Sequence, residues 1–376
     1  MTSTETAPDS ARQQKAKEYH RLSRRGLFLE LGIGAGSLLV LLLTGTSADL
    51  ARILAFPLPV AAVLYLLTLA VGYQVIMAPL DYYHGFILSH RYGLSTQPLA
   101  GWLKDKTKAS GLGVLLGLCL VVMVYGFMEY FPQLWWLLSA LTVILLSLVL
   151  TRLTPRFLIP LFFKLKPLEE GELKERLLNL ARRAGVNVKN VLTMNLSSKA
   201  TTANAMVSGW GKSRRIIFSD TLLQAYPPEE VEVTLAHELG HHLHRDIARL
   251  IAIQAAVFLL GFYLASLALK AGIMLFSFKG ITDLAALPWL ILLLGIFMFL
   301  FQPLINWYDR RIELAADKSA LELSNNPQAF INLMAKLTDQ NLSEAEPSKW
   351  VKLLFYDHPT YEERVTLARN YDKNPG

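Results

Sequence analysis

The stretch Leu235-Ala236-His237-Glu238-Leu239-Gly240-His241-His242 governs how the rest of the chain is read. His237 and His241 are four apart, so on a helix they share one face and can grip a single metal ion. Glu238 sits one step round the helix, close enough to meet a metal-bound water without being a ligand. Just upstream, Pro227-Pro228-Glu229-Glu230 supplies a helix start, with Pro in the first turn and acids at the positive end of the dipole. Val231, Val233, Leu235 and Leu239 then give the helix its apolar positions.

Immediately after Arg245-Asp246 an apolar run covers about 247–271, and another covers about 285–306. The motif helix therefore ends at a membrane surface or continues into it. Upstream, further runs cover about 26–45, 57–79, 111–131 and 134–152, each long enough to cross a bilayer. The whole chain is 53% hydrophobic with a mean hydropathy of +0.34, too apolar for an ordinary soluble protein of 376 residues. Its one cysteine, Cys119, lies in an apolar run, which excludes an intrachain disulfide. Trp135 and Trp136, beside the turn Phe131-Pro132-Gln133, fit an interfacial aromatic belt.

The expected fold is mainly α, a multi-pass transmembrane helical bundle with a small α+β zincin-type catalytic domain built from two separated segments. Six spans are counted, and a seventh would have to lie in 80–110 or 153–166. Residues 1–25 read as a flexible cytosolic tail, 26–165 as an N-terminal transmembrane region, and 166–246 as the first catalytic segment. Residues 247–308 form a transmembrane hairpin, and 309–376 return as the second catalytic segment. Within the first catalytic segment, 187–196 and 216–218 read as strands, with an edge strand over 201–207. The net charge of +7 is assigned to membrane topology and not to nucleic acid. With the N-terminus inside, the outer connections hold only Arg52, Lys270 and Lys279, whereas the tail alone holds six basic residues and 89–110 holds four. That bias puts both termini and the catalytic segments on the cytoplasmic side.

Two imidazoles and a carboxylate in the order H-E-x-x-H form the zinc metallopeptidase motif. One zinc ion bound this way wants a third protein ligand. His244 shares the histidine face, but seven residues put it about 10 Å along the axis from His237, too far for the same ion. Glu313 and Asp317, past the last span, are again four apart. One carboxylate can complete the metal site, and the other can hold a ligand histidine by its free N–H.

These two motifs together resemble the integral-membrane zinc metallopeptidases of the type I CAAX prenyl protease family, whose clan includes the HtpX-type membrane proteases. Weaker matches are Arg91-Tyr92-Gly93-Leu94-Ser95, Asn204-Ala205, Arg214-Arg215, Phe218-Ser219-Asp220-Thr221-Leu222, and His358-Pro359-Thr360 with Arg364. The resemblance covers roughly 90–370. It implies that His237, His241 and Glu313 bind zinc and that Glu238 is the general base, with Asp317 behind the ligands. It further implies that Asn204 and Ala205 pair with substrate backbone, and that His358, supported by Arg364, stabilises the tetrahedral intermediate. Met206 departs from the family, which tends to carry an aromatic after Asn-Ala, and six spans depart from its seven. The activity so implied is hydrolysis of membrane-associated or lipidated peptides and proteins. An HtpX-like quality-control protease, a site-2-type intramembrane protease and a non-enzymatic zinc-stabilised scaffold or transporter are the competing readings.

Overall fold

A computed structural model describes residues 7–209 and 214–373. Six of its helices are long and apolar enough to cross a membrane, over Ser10–Leu43, Leu58–Arg91, Leu99–Tyr130, Trp135–Phe162, Asp246–Phe276 and Leu284–Ser324. Among the described residues, 80–110 and 153–166 extend these helices and add no seventh span. The chain is a multi-pass helical bundle carrying a small catalytic domain.

In chain order, α1 (Ser10–Leu43), the short α2 (Thr46–Ile53) and α3 (Leu58–Tyr82) come first. A π-helical turn over Tyr83–Leu88 joins α3 to α4 (Ser89–Arg91), and α5 (Leu99–Tyr130) and α6 (Trp135–Leu153) form the next hairpin. Pro155 has no N–H to donate, and the ladder there shifts to a π turn in which the Ile159 N–H reaches the Thr154 carbonyl. The helix then finishes as α7 (Ile159–Phe162).

The catalytic domain opens with β1 (Leu165–Pro167), α8 (Glu172–Arg183), β2 (Asn190–Met194), β3 (Ala205–Ser208) and β4 (Arg215–Ser219). Next come α9 (Asp220–Ala225) and α10 (Pro228–Leu243), the helix carrying both histidines. Two spans follow, α11 (Asp246–Phe276) and α12 (Leu287–Ser324), and then α13 (Pro327–Gln340), α14 (Lys349–Phe355) and α15 (Tyr361–Lys373). The strands lie in the order β1-β2-β4-β3. β2 and β4 run parallel with Asn190 opposite Arg215, while β3 runs antiparallel to β4 and forms the edge.

There are two main cores. One packs Leu177, Ile216, Phe218, Leu235, Leu239, Leu321, Phe330 and Val365 between the sheet and the helices of the catalytic domain. The other joins the span ends remote from that domain, around Tyr65, Tyr125, Phe262, Leu269 and Ala285. Ser47 reinforces the second core, with its hydroxyl bonded to Tyr65 and to the Ala285 carbonyl.

Two expectations are corrected. From residue 10 the supposed flexible tail is helix, capped by the Asp9 carboxylate on the N–H groups of Ala11 and Arg12 (residues 1–6 of that tail lie outside the described residues). It docks on the loop after α13. The Arg12 guanidinium donates to the Asp339 carbonyl at 2.9 Å, His20 meets the Leu342 carbonyl at 3.0 Å, and Arg24 pairs with Glu344 at 2.6 Å. These contacts are polar and more than 300 residues apart, so no apolar period announces them. Trp135 also does not face outward as a belt residue would; it is buried in the second core, while Trp136 packs edge-on against Tyr263.

Candidate active site

Helix α10 has an extended Pro227 at its N-cap, Pro228 in the first turn, and Glu229 and Glu230 beside them. Glu230 is buried against the Lys336 ammonium, at 2.7 and 2.9 Å. At the other end Arg245 takes a left-handed conformation (φ 57°), which breaks the helix and turns the chain into α11. Facing α10 is α12, a single helix that rises out of the last span and carries Glu313 and Asp317 without interruption. Gly240 allows the two helices to touch. A Cβ there would lie 2.9 Å from the Ser319 Cβ and 3.0 Å from the Ala316 Cα.

Across this contact three side chains converge. The Nε2 atoms of His237 and His241 are 3.1 Å apart, and the Glu313 carboxylate stands 3.3 Å from the first and 3.4 Å from the second. One donor atom from each lies within 4.8 Å of the others, as a shared metal ion requires. The donor chemistry fits that ion. Glu313 Oε2 is buried without a hydrogen-bond partner, an arrangement that a cation would resolve.

Each of these two imidazoles is held from behind. His237 Nδ1 donates to Asp317 at 2.9 Å, and Asp317 is itself fully buried and forked by Arg364, with Nε on Oδ2 at 2.8 Å and Nη2 on Oδ1. His241 Nδ1 donates to Asp246 at 3.1 Å. Both rings are thereby fixed with Nε2 turned toward Glu313. Burial opposes a charged His237, but Asp317 and then Glu313 outweigh it and push the metal-free ring up to about 10.

Glu238 lies beside the two histidines on α10. Burial raises its carboxyl above the usual range, against the pull of His237 and His241. Its Oε2 accepts the Val207 N–H of β3 at 3.3 Å. The Ser219 N–H donates to the Asn204 carbonyl, so by alternation residues 204, 206 and 208 face β4. Ala205 and Val207 then direct their backbone groups to the open edge. Asn204 is exposed at the head of this edge, and its own N–H is held by the Ser219 hydroxyl.

His358 faces the same point from the last loop, with Nε2 3.5 Å from Glu313 Oε2 and Nδ1 2.8 Å from Asp357. Burial opposes its protonation, but Asp357 and Glu313 hold its pKa above the usual histidine value. Arg364 lines the same cleft as His358 and also forks Asp317, which puts its guanidinium behind His237. His244 is remote from the metal donors and meets Ser319 at 3.5 Å. A cleft of about 440 Å³ joins these groups, walled by His237, Glu238, Asn204, His358 and, from the first helix, His20 and Arg24.

Sequence reading missed Asp246, Gly240 and Asn341. Asp246 follows His241 by five residues, a spacing that carries meaning only once Arg245 bends the chain. Asn341 holds the approach to the edge strand, accepting from the Ala203 N–H at 2.9 Å and donating to its carbonyl at 3.3 Å.

A membrane-helical bundle with two histidines and a glutamate converging beside a half-buried glutamate defines a membrane metalloprotease. Residues 167–372 match the family model described as peptidase family M48, and the chain belongs to that family. Residues 4–164 match a CAAX prenyl protease N-terminal model described as five membrane helices, where this chain has four candidate spans among its described residues. An uncharacterized metalloprotease, YhfN, of Bacillus subtilis (strain 168) is 29% identical over 367 residues, covering 96% of this chain and 86% of that one. A CAAX prenyl protease 1 homolog of Oryza sativa subsp. japonica is 30% identical over 314 residues, 80% of this chain and 71% of its own. The crystal structure of S. mikatae Ste24p shares the fold, with a TM-score of 0.83 at 22% identity over 98% of this chain and 92% of that one.

Proposed function

We propose that the protein is a zinc metalloendopeptidase that hydrolyses membrane-associated or lipidated peptides and proteins, with its site and both termini on the cytoplasmic side. The observation that carries this reading is the convergence of His237, His241 and Glu313 next to Glu238, itself in contact with an open strand edge. His237, His241 and Glu313 would hold zinc, which when bound supplies Lewis acidity toward water and the peptide carbonyl. Asp317 and Asp246 orient the two imidazoles. A substrate strand would add to β3, pairing with the outward backbone of Ala205 and the Val207 carbonyl. Glu238 takes a proton from the attacking water as its oxygen bonds to the carbonyl carbon. When the C–N bond breaks, Glu238 delivers that proton to the leaving nitrogen. His358, its imidazolium favoured by Asp357, donates to the oxygen that gains negative charge. The cytoplasmic assignment rests on the concentration of Lys and Arg in the connections on the catalytic side.

The test is cleavage of a matched pair of peptides, prenylated and unprenylated, by detergent-purified wild type and Glu238→Gln, with zinc assayed in both. Glu238→Gln is expected to keep its zinc and lose cleavage. Retained cleavage in the variant refutes the assignment of the base. Selective cutting of the prenylated peptide supports a lipidated substrate; equal cutting of both supports broad quality control.

A further inference from the structure

Where the end of the fourth span meets the ends of β3 and β4 lies a second cavity of about 430 Å³. Four cationic side chains line it, Arg152 and Arg156 from the end of the fourth span, Lys189 ahead of β2, and Arg215 at the start of β4. Ser208, the last residue of β3, adds a hydroxyl, and no carboxylate is among the described lining residues. Arg152 and Arg156 are four apart across the π turn at Pro155, and like charges so spaced repel. Placing them opposite Lys189 and Arg215 concentrates positive potential in one concavity.

The residues between them are of the opposite character. Leu153 and Phe157, one step round from the two arginines, are 38% and 60% exposed. They lie at the end of a helix long and apolar enough to cross the bilayer. A soluble anion would use the cations and leave these apolar groups in water. A molecule with an anionic head and hydrocarbon chains would use both. We propose that this cavity binds the headgroup phosphate of an anionic phospholipid, with the acyl chains lying along Leu153 and Phe157. The head would sit in the field of Arg156, Lys189 and Arg215, beside Ser208, whose neighbour Val207 touches Glu238. Basic pockets of this kind recognise anionic headgroups through charge, with water excluded on one side.

The test uses the full-length protein in phosphatidylcholine nanodiscs, with phosphatidylglycerol as the probe and bound lipid counted by native mass spectrometry after exchange. Arg156, Lys189 and Arg215 are replaced by Ala singly and together, and Arg21→Ala/Arg25→Ala on exposed α1 serves as a control on the same side. Removing each pocket cation is expected to weaken phosphatidylglycerol retention about fivefold. Arg156→Lys should retain it, and the control pair should behave as wild type. Because Arg156 and Lys189 are exposed, their variants should keep the wild-type melting temperature, which is measured alongside. The proposal is overturned if pocket variants retain lipid as wild type does, or if the control pair loses it equally. It also fails if inorganic phosphate competes as well as phosphatidylglycerol, which would mark a soluble-anion site.

Discussion

Asp246 offers the sharpest test of how the metal site is built. Its carboxylate is 2% exposed, accepts from His241 Nδ1 at 3.1 Å, and has one further cation near it, Arg249 at 3.5 Å. In Asp246→Ala the His241 N–H loses a charged acceptor inside a closed contact. A hydrogen bond to a charged group contributes about 1.5–3 kcal/mol, and 1.4 kcal/mol is about tenfold in an equilibrium constant. Zinc affinity should therefore fall roughly 10–100-fold, the range seen when partners behind metal-bound histidines are removed. Asp246→Asn keeps an acceptor oxygen and should fall less. The assay is competition of each variant against a chelator of known affinity, with melting temperature recorded to confirm the fold. An Asp246→Ala protein that is folded and binds zinc like wild type would show that His241 needs no support from α11.

Three further outcomes follow from the geometry. Gly240→Ala would press a methyl against the Ser319 side chain and the Ala316 backbone, at about 1–3 kcal/mol, and push Glu313 away from the histidines; calorimetry should show a lower melting temperature with reduced zinc occupancy, and normal values for both would refute the close-contact role. In the metal-free protein His237 sits at about 10 against an ordinary 6.5, so its charged form stabilises the fold below about 6.5 and that contribution fades as pH rises toward 10. Zinc must displace that proton, so titration calorimetry at neutral pH in buffers of different ionisation heat should detect about one proton released from this ring, with affinity rising with pH; binding without proton release contradicts it. Asn341→Ala removes both bonds to Ala203 and loosens the approach to the edge strand, so KM for a peptide should rise about fivefold with kcat and zinc content preserved. A fall in kcat alone would place Asn341's influence elsewhere.

How far the sequence could be read depended on whether partners shared an element. His237, Glu238 and His241 were readable because one helical turn brings them together. Glu313 and Asp317 were readable as a pair, but their division of labour depends on how α12 is rotated against α10. That rotation turns Glu313 to the Nε2 atoms and Asp317 to the Nδ1 atom of His237, and Gly240 sets how close the helices come. Arg364 is legible only as a residue near His358, since the docking of α15 is what reveals its fork on Asp317. The strands were approximately legible from their apolar runs, whereas β1 is three residues long and carries no period of its own. The helical start of α1 was hidden because its partners, Asp339 to Glu344, are polar and distant in sequence.

Helix α12 is a screw with no slack in it. It runs unbroken from Leu287 to Ser324, so Glu313 stands about 10 Å above Asn306, where the apolar run ends, at a fixed angle. One residue gained or lost between them would turn the carboxylate by about 100° and take it off the histidines. No loop intervenes to absorb the change. A thicker or thinner bilayer is therefore accommodated below Asn306, at Pro303 inside the helix or at its start near Leu284 to Ala286, leaving the phase of Glu313 against the histidines unaltered.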